Sequence, residues 1–204
     1  GHTDGLGLFG REVMGSSGVI PHCSPSMGNL LYSTPSWSAM IDQGVIIPKF
    51  WSSMEPFEPT TSCGFTITAV PVPHRSELSD NHALIIRGKK KSLLFMPDQD
   101  SWSETLEEGL EILDWLRGMS VDLALIDGTF WNYDEISSRD VSKIPHPTVV
   151  ETLEMLGNRR SGDPKISFIH FNHTNPLLND ERDECRDLLK MGWGISKQGE
   201  VYHL

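Results

Sequence analysis

"SFIHFNHTNP", residues 167–176, sets two histidines three positions apart against an apolar run and then breaks the chain with Asn-Pro. The run "KISFIHF" (165–171) reads as a strand, and Asn175-Pro176 as the turn that follows. His170 and His173 therefore stand at the mouth of a strand. Imidazoles placed there are metal ligands or acid/base groups, or else polar residues that tie down a turn. The choice depends on what the rest of the chain brings beside them.

Outward from this strand, helix and strand signals alternate. "VDLALID" (121–127) is a buried strand, and between the two strands "HPTVVETLEMLGN" (146–158) is a helix with Pro147 at its start and Gly157 near its end. "DERDECRDLLKMG" (180–192) gives a last helix before a closing hairpin, "WGISKQGEVYHL" (193–204). Upstream, "CGFTITAVPV" (63–72) is a strand and "HALIIRGKKKSLLFM" (82–96) a hairpin of two apolar strands. "SETLEEGLEILDWLRGM" (103–119) carries a helical stripe of Leu106, Leu110, Leu113, Trp115 and Leu116, with Ser103 as its cap. "SPSMGNLLYSTPSWSAMID" (24–42) is a short helix that Pro35 interrupts or ends. This order describes an α/β chain, a mixed sheet covered by helices, in one domain over residues 1–204.

The formal net charge of −11 disfavours a nucleic-acid groove, since phosphate binding needs clustered Lys and Arg. The basic run "RGKKK" (87–91) reads as a solvated turn. Cys23, Cys63 and Cys185, an odd number without close spacing, fit neither a disulfide framework nor a cysteine zinc site, which points to a reducing, cytoplasmic compartment. No run of 18 apolar residues suggests a membrane span. The chain opens on Gly1 with the texture of a turn leading into a helix, so preceding sequence is expected.

Function in such folds gathers at strand ends. His2, His74 after "ITAVPVP", Asp98 after "SLLFMP", and His170 or His173 after "ISFI" all stand there. Imidazoles with one carboxylate, spread over separate strand ends, suit Zn²⁺ or Fe²⁺, and the carboxylate of Asp98 can bridge two ions where an imidazole cannot. Asp127 in "LALIDGTFW" either orients a ligand histidine or caps its Gly-Thr turn. Asp100 reads as a turn or cap residue, and His22, His82 and His203 as structural or exposed.

In this order, His, His, Asp, His, the chain resembles the metallo-β-lactamase superfamily. "GHTDGL" is similar to the tail of that superfamily's first motif, H-x-H-x-D-H-x-x-G-L, with His2 as its last histidine and Gly1 where the motif has Asp. A tighter resemblance is to the coenzyme PQQ synthesis protein B family. It is carried by "GLGLFGREVMG" (5–15), "SPSMGNLL" (24–31), "VPVPHRSELSD" (70–80), "FMPDQDSW" (95–102), "LALIDGTFW" (123–131), "SRDVSKIPHPTVVETLE" (138–154) and "FIHFNHTNPLL" (168–178), in the family's order.

The resemblance implies an αββα sandwich of mixed sheets flanked by helices, with its N-terminal part missing. It implies metal ligands at His2, His74, Asp98 and His170 or His173, with Asp98 and His173 catalytic. The cofactor would be Zn or Fe, one ion or two, and Gly1 in place of a ligating carboxylate favours one. The activity implied is hydroxylation or oxidation of a Glu-Tyr-derived precursor in pyrroloquinoline quinone biosynthesis. Arg11, Arg75 and Arg139 are the candidates for gripping its carboxylates. A small-molecule or peptide-derived substrate is expected, with a homodimer and no nucleic-acid or membrane partner. Two other readings stand beside it: a phosphodiesterase-like hydrolase of the same fold, and a non-catalytic carrier that stacks a flat ligand on Trp102 and Trp131.

Overall fold

The computed structural model describes residues 3–136 and 144–204. Its main sheet has seven strands in the order β3 (Pro56–Phe57), β4 (Thr66–Pro71), β5 (His82–Arg87), β6 (Ser92–Met96), β7 (Leu123–Asp127), β8 (Lys165–Ile169) and β9 (Gly194–Ile195). β3 to β6 pair antiparallel, and β6 to β9 pair parallel. A second, two-stranded parallel sheet joins β1 (His22–Cys23) to β2 (Lys49–Phe50). The architecture is the mixed α/β arrangement that the order of elements implied.

Strand direction positions the site. β4 and β6 each run antiparallel to β5, and β7 and β8 run parallel to β6, so β4, β6, β7 and β8 all end at the same edge. The loops that leave them carry His74, Asp98, Thr129 with His146, and His170 respectively. Alternation decides which side chains face inward: Ile85, Leu94, Ala124, Ile126, Ile166 and Phe168 share one core with Trp102, Leu116, Leu153 and Leu188 from the helices.

Pro35 divides the first helical stretch, as expected, and the second, expected to be continuous, is broken. Residues 24–42 form α1 (Pro25–Ser33) and α2 (Pro35–Asp42), because a proline without an N–H is harmless in a helix's first turn while its ring holds Thr34 extended. Ser24 caps α1 by accepting from the Met27 N–H at 3.0 Å. Residues 103–119 likewise split into α3 (Trp102–Thr105) and α4 (Ile112–Gly118). Leu106 is extended and Gly109 sits at φ +80°, which no continuous helix tolerates. The cap of α3 is Ser101 rather than Ser103, its Oγ accepting from the Glu104 N–H at 3.2 Å.

α5 (Val149–Leu156) is capped by Thr148, and α6 is Asp183–Lys190. The closing hairpin does not form. β9 adds parallel to β8, the Ser196 N–H donates to the Phe168 carbonyl at 3.1 Å, and residues 197–204 make no strand. Among the described residues no helix is long and apolar enough to cross a membrane.

Candidate metal centre

Four strand-end loops converge on the carboxylate of Asp98, which is 6% exposed. His74 Nε2 lies 3.6 Å and His170 Nε2 3.8 Å from its Oδ1. One ligand atom each from His74, Asp98 and His146 falls within 4.8 Å of the others, close enough to share an ion. The ring centroids of His74 and His146 are 5.2 Å apart, and those of His146 and His170 6.1 Å.

Each imidazole is held from behind. His74 Nδ1 is 2.9 Å from Asp100 Oδ1, and the Asp100 N–H donates to the Pro73 carbonyl at 2.8 Å, tying the β4–β5 loop to the loop after β6. His146 Nδ1 is 2.6 Å from Asp127 Oδ2. His170 Nδ1 is 3.0 Å from Thr129 Oγ1, whose hydroxyl donates to Asp127 Oδ1 at 2.7 Å. Asp127 also accepts the N–H groups of Gln99 at 3.2 Å and Thr129 at 2.9 Å. A carboxylate this saturated with donors is tolerable in the interior, where an unpartnered one is not.

Burial works against a charge on His146, but its hydrogen bond to Asp127 and the charges of Asp127, Asp98 and Asp100 outweigh it, so its pKa is raised above the ordinary value. The donor set of imidazoles and a carboxylate, each oriented by a partner on the ring's far side, fits a borderline divalent cation.

The structure separates the residues singled out in the sequence. His74, Asp98 and His170 come together, with Asp127 behind them. His173 is exposed in the turn beyond, and among the described residues none of the contacts that join the cluster involves it. The Asn-Pro turn is tied by Asn175 instead, whose side chain donates to the Gly128 carbonyl at 2.7 Å and accepts from the Leu177 N–H at 2.9 Å. His2 and Arg139 lie outside the described residues. Arg11 and Arg75 are both exposed, but Arg75 also lines a cavity of about 710 Å³ together with Met27, Leu30, Trp37, His74 and Asp98. Trp102 is 1% exposed in the core, its Nε1–H donating to Thr152 Oγ1 at 2.9 Å, so it offers no stacking surface to a ligand.

Three members of the site were not picked out in the sequence. His146 was legible as an imidazole held between two prolines just before a helix, and Asp100 as a second acid two residues beyond the first. Thr129 follows Asp127 by two residues, the spacing at which a carboxylate takes up local donors.

Residues 2–198 match the beta-lactamase superfamily domain, and the chain belongs to that superfamily. Among particular proteins, it is 28% identical to coenzyme PQQ synthesis protein B of Klebsiella pneumoniae over 97% of this chain and 71% of that protein. It is 25% identical to coenzyme PQQ synthesis protein B of Gluconobacter oxydans over 69% of this chain, a match that spans only 49% of that relative's length. The fold is similar to that of Zn²⁺-bound PqqB from Methylobacterium extorquens, with a TM-score of 0.66 and 18% identity over 91% of this chain and 62% of that one.

Proposed function

We propose that this chain is a metal-dependent enzyme related to coenzyme PQQ synthesis protein B, acting in pyrroloquinoline quinone biosynthesis on a Glu-Tyr-derived precursor by hydroxylation or oxidation. The observation that carries the reading is the convergence of His74, Asp98 and His146 within 4.8 Å, with His170 Nε2 3.8 Å from Asp98, beside a cavity of about 710 Å³. His74, Asp98, His146 and His170 would together hold a zinc or iron ion. Such an ion polarises a bound oxygen and acidifies a bound water, and iron also supports dioxygen chemistry.

The protein's own groups supply the rest. Asp100 and Asp127 orient the imidazoles. Arg75, which has no ion pair among the described residues, is placed to take a substrate carboxylate bidentately, while Met27, Leu30 and Trp37 exclude water from its apolar part. His173, exposed in the turn beyond His170, would meet the substrate rather than the ion. The same reading implies a small-molecule or peptide-derived substrate and a cytoplasmic setting.

Imidazole and carboxylate donors suit zinc as well as iron, so a phosphodiesterase-like hydrolase is the competing chemistry. Elemental analysis of protein purified without chelator, beside His74→Ala and Asp98→Ala, separates these readings. We expect about one ion per chain, lost in both variants, as in sites with a few protein ligands and an open position. Iron, with oxygen consumption on the dipeptide-derived precursor, supports the proposal. Zinc with turnover of a chromogenic phosphodiester supports the hydrolase, and absence of metal from the parent sinks both.

A further inference from the structure

We infer that Thr129 is a positioning residue that fixes the tautomer of His170, transmitting the charge of Asp127 so that the ring turns its Nε2 lone pair toward Asp98. The inference deepens the reading of this site as a metal centre and rests on it only for its consequence for metal affinity.

The argument is proton bookkeeping around one hydroxyl. Thr129 Oγ1 has a single proton to give and three neighbours within reach: Asp127 Oδ1 at 2.7 Å, His170 Nδ1 at 3.0 Å and His146 Nδ1 at 3.3 Å. Asp127 is 1% exposed, so its charge is screened by protein rather than water, and a charge-assisted bond is the strongest of the three. The hydroxyl proton therefore goes to Asp127. His146 Nδ1 also donates to Asp127, on the other oxygen, across 2.6 Å. Thr129 Oγ1 is left with its lone pairs toward His170, and a 3.0 Å contact to Nδ1 is satisfied only if that nitrogen carries the proton.

A neutral His170 ring then has its lone pair on Nε2, the atom 3.8 Å from Asp98 Oδ1. The result matches the other two imidazoles, each of which gives its Nδ1 proton to a carboxylate directly. One buried carboxylate thus sets two rings, His146 by contact and His170 through a threonine. His170 also sits at φ +62°, a backbone conformation that side chains rarely adopt and that a fixed ring orientation helps to hold.

The alternative assignment is specific: Thr129 donates to His170 Nδ1, and the proton sits on Nε2, facing the cluster and blocking it. Long-range proton–nitrogen NMR of the chain after chelator dialysis distinguishes the two at neutral ring charge. We expect His170 protonated on Nδ1 in the parent and in Thr129→Ser, and shifted toward Nε2 in Thr129→Val, which keeps the shape and removes the hydroxyl. His146 should keep its Nδ1 proton in all three proteins, which excludes general disruption. Zinc affinity, measured with Zn²⁺ alone, should fall about 10-fold or more in Thr129→Val and recover in Thr129→Ser.

An Nε2 proton on His170 in the parent overturns the inference, as does identical behaviour of the valine and serine variants. The expected tautomers in a parent that binds no zinc would support the relay while removing the metal reading.

Discussion

His146 Nδ1 donates to Asp127 Oδ2 across 2.6 Å, joining the residue ahead of α5 to the carboxylate that ends β7. Among the described residues Asp127 accepts from four donors, supplied by Gln99, Thr129 and His146. Replacing it with Asn puts an amide NH₂ against those donors. The Asp127→Asn chain should lose about 1–3 kcal/mol of stability, the cost of leaving buried groups unsatisfied, read as a lower denaturant midpoint at unchanged slope. Its zinc affinity should fall as well. A variant as stable as the parent would show that Asp127 is not what organises this corner.

Asp100 performs the same service for His74 from a half-buried position. It holds one imidazole at 2.9 Å, and its backbone N–H bond to Pro73 survives side-chain substitution. Asp100→Asn should therefore change stability by less than about 1 kcal/mol, as for other water-accessible pairs, yet weaken zinc binding by roughly 10-fold through the loss of His74 orientation. The two measurements separate orientation from folding, and equal stability losses in the Asp100 and Asp127 variants would refute the distinction.

Arg75 lines the cavity beside His74 and Asp98. With the proposed precursor as substrate, Arg75→Ala should raise KM about 10- to 100-fold, the range expected when a hydrogen bond to a charged group is lost, with a smaller change in kcat. Arg75→Lys should recover only part of the loss, since an ammonium cannot pair with both carboxylate oxygens. Arg11→Ala should leave both constants unchanged, because Arg11 lies outside the cavity lining. Steady-state kinetics of the three variants decides the matter.

Two histidines should show opposite pH dependence in the metal-free chain. Burial lowers the pKa of His82, with Asp80 opposing. Its contribution, which includes a 2.9 Å bond to Ser53, is thus present above the unfolded value of about 6.5 and lost as pH falls. The pKa of His146 is raised, so its contribution is full below about 6.5 and is lost as pH rises through the higher folded value. Thermal midpoints of His82→Gln and His146→Gln against the parent, at acid and mildly alkaline pH in chelator, check both signs. The His82 deficit should shrink toward acid and the His146 deficit toward alkali.

The strands were legible where short apolar runs are bounded by turn residues, as in 82–96 and 121–127: β5 alternates in burial, whereas β7 is a run buried on both faces. Pattern failed where a local backbone preference beat the periodicity. The leucine stripe of 103–119 continues past Gly109, but Leu106 is already extended and Gly109 sits at φ +80°, so no helix resumes before Ile112 whatever its neighbours would bury. The site divides in the same manner. His74 and Asp98 follow directly from strand ends, whereas His146 comes from a loop before a helix whose return to the sheet edge is fixed by tertiary hydrogen bonds, such as that of the Val149 N–H to the Phe130 carbonyl at 2.9 Å. The different placements of His170 and His173 became visible only with the β8 terminus, which at Ile169 leaves His170 as the first residue beyond the strand, with its Nε2 3.8 Å from Asp98 Oδ1.

Gly128 is where fold and site meet, since it separates Asp127 from Thr129. Its N–H donates to the Ile169 carbonyl at 2.9 Å, and a Cβ added there would lie 2.9 Å from that same oxygen and 2.8 Å from Phe171 Cε1. Neither neighbour yields easily, one being backbone of β8 and the other a ring packed against the core. Gly128→Ala must part the ends of β7 and β8, at a cost of about 1–3 kcal/mol typical of forced overpacking, and must move both residues that orient His146 and His170. Gly118→Ala supplies the control: nothing lies within 4 Å of its added Cβ at the end of α4, so it should be neutral or stabilise by up to about 1 kcal/mol. We expect Gly128→Ala alone to lower the thermal midpoint and zinc affinity together. A loss of stability with zinc affinity intact would mean that the two orienting residues are positioned by the loops beyond Gly128 rather than by the close approach of the strands.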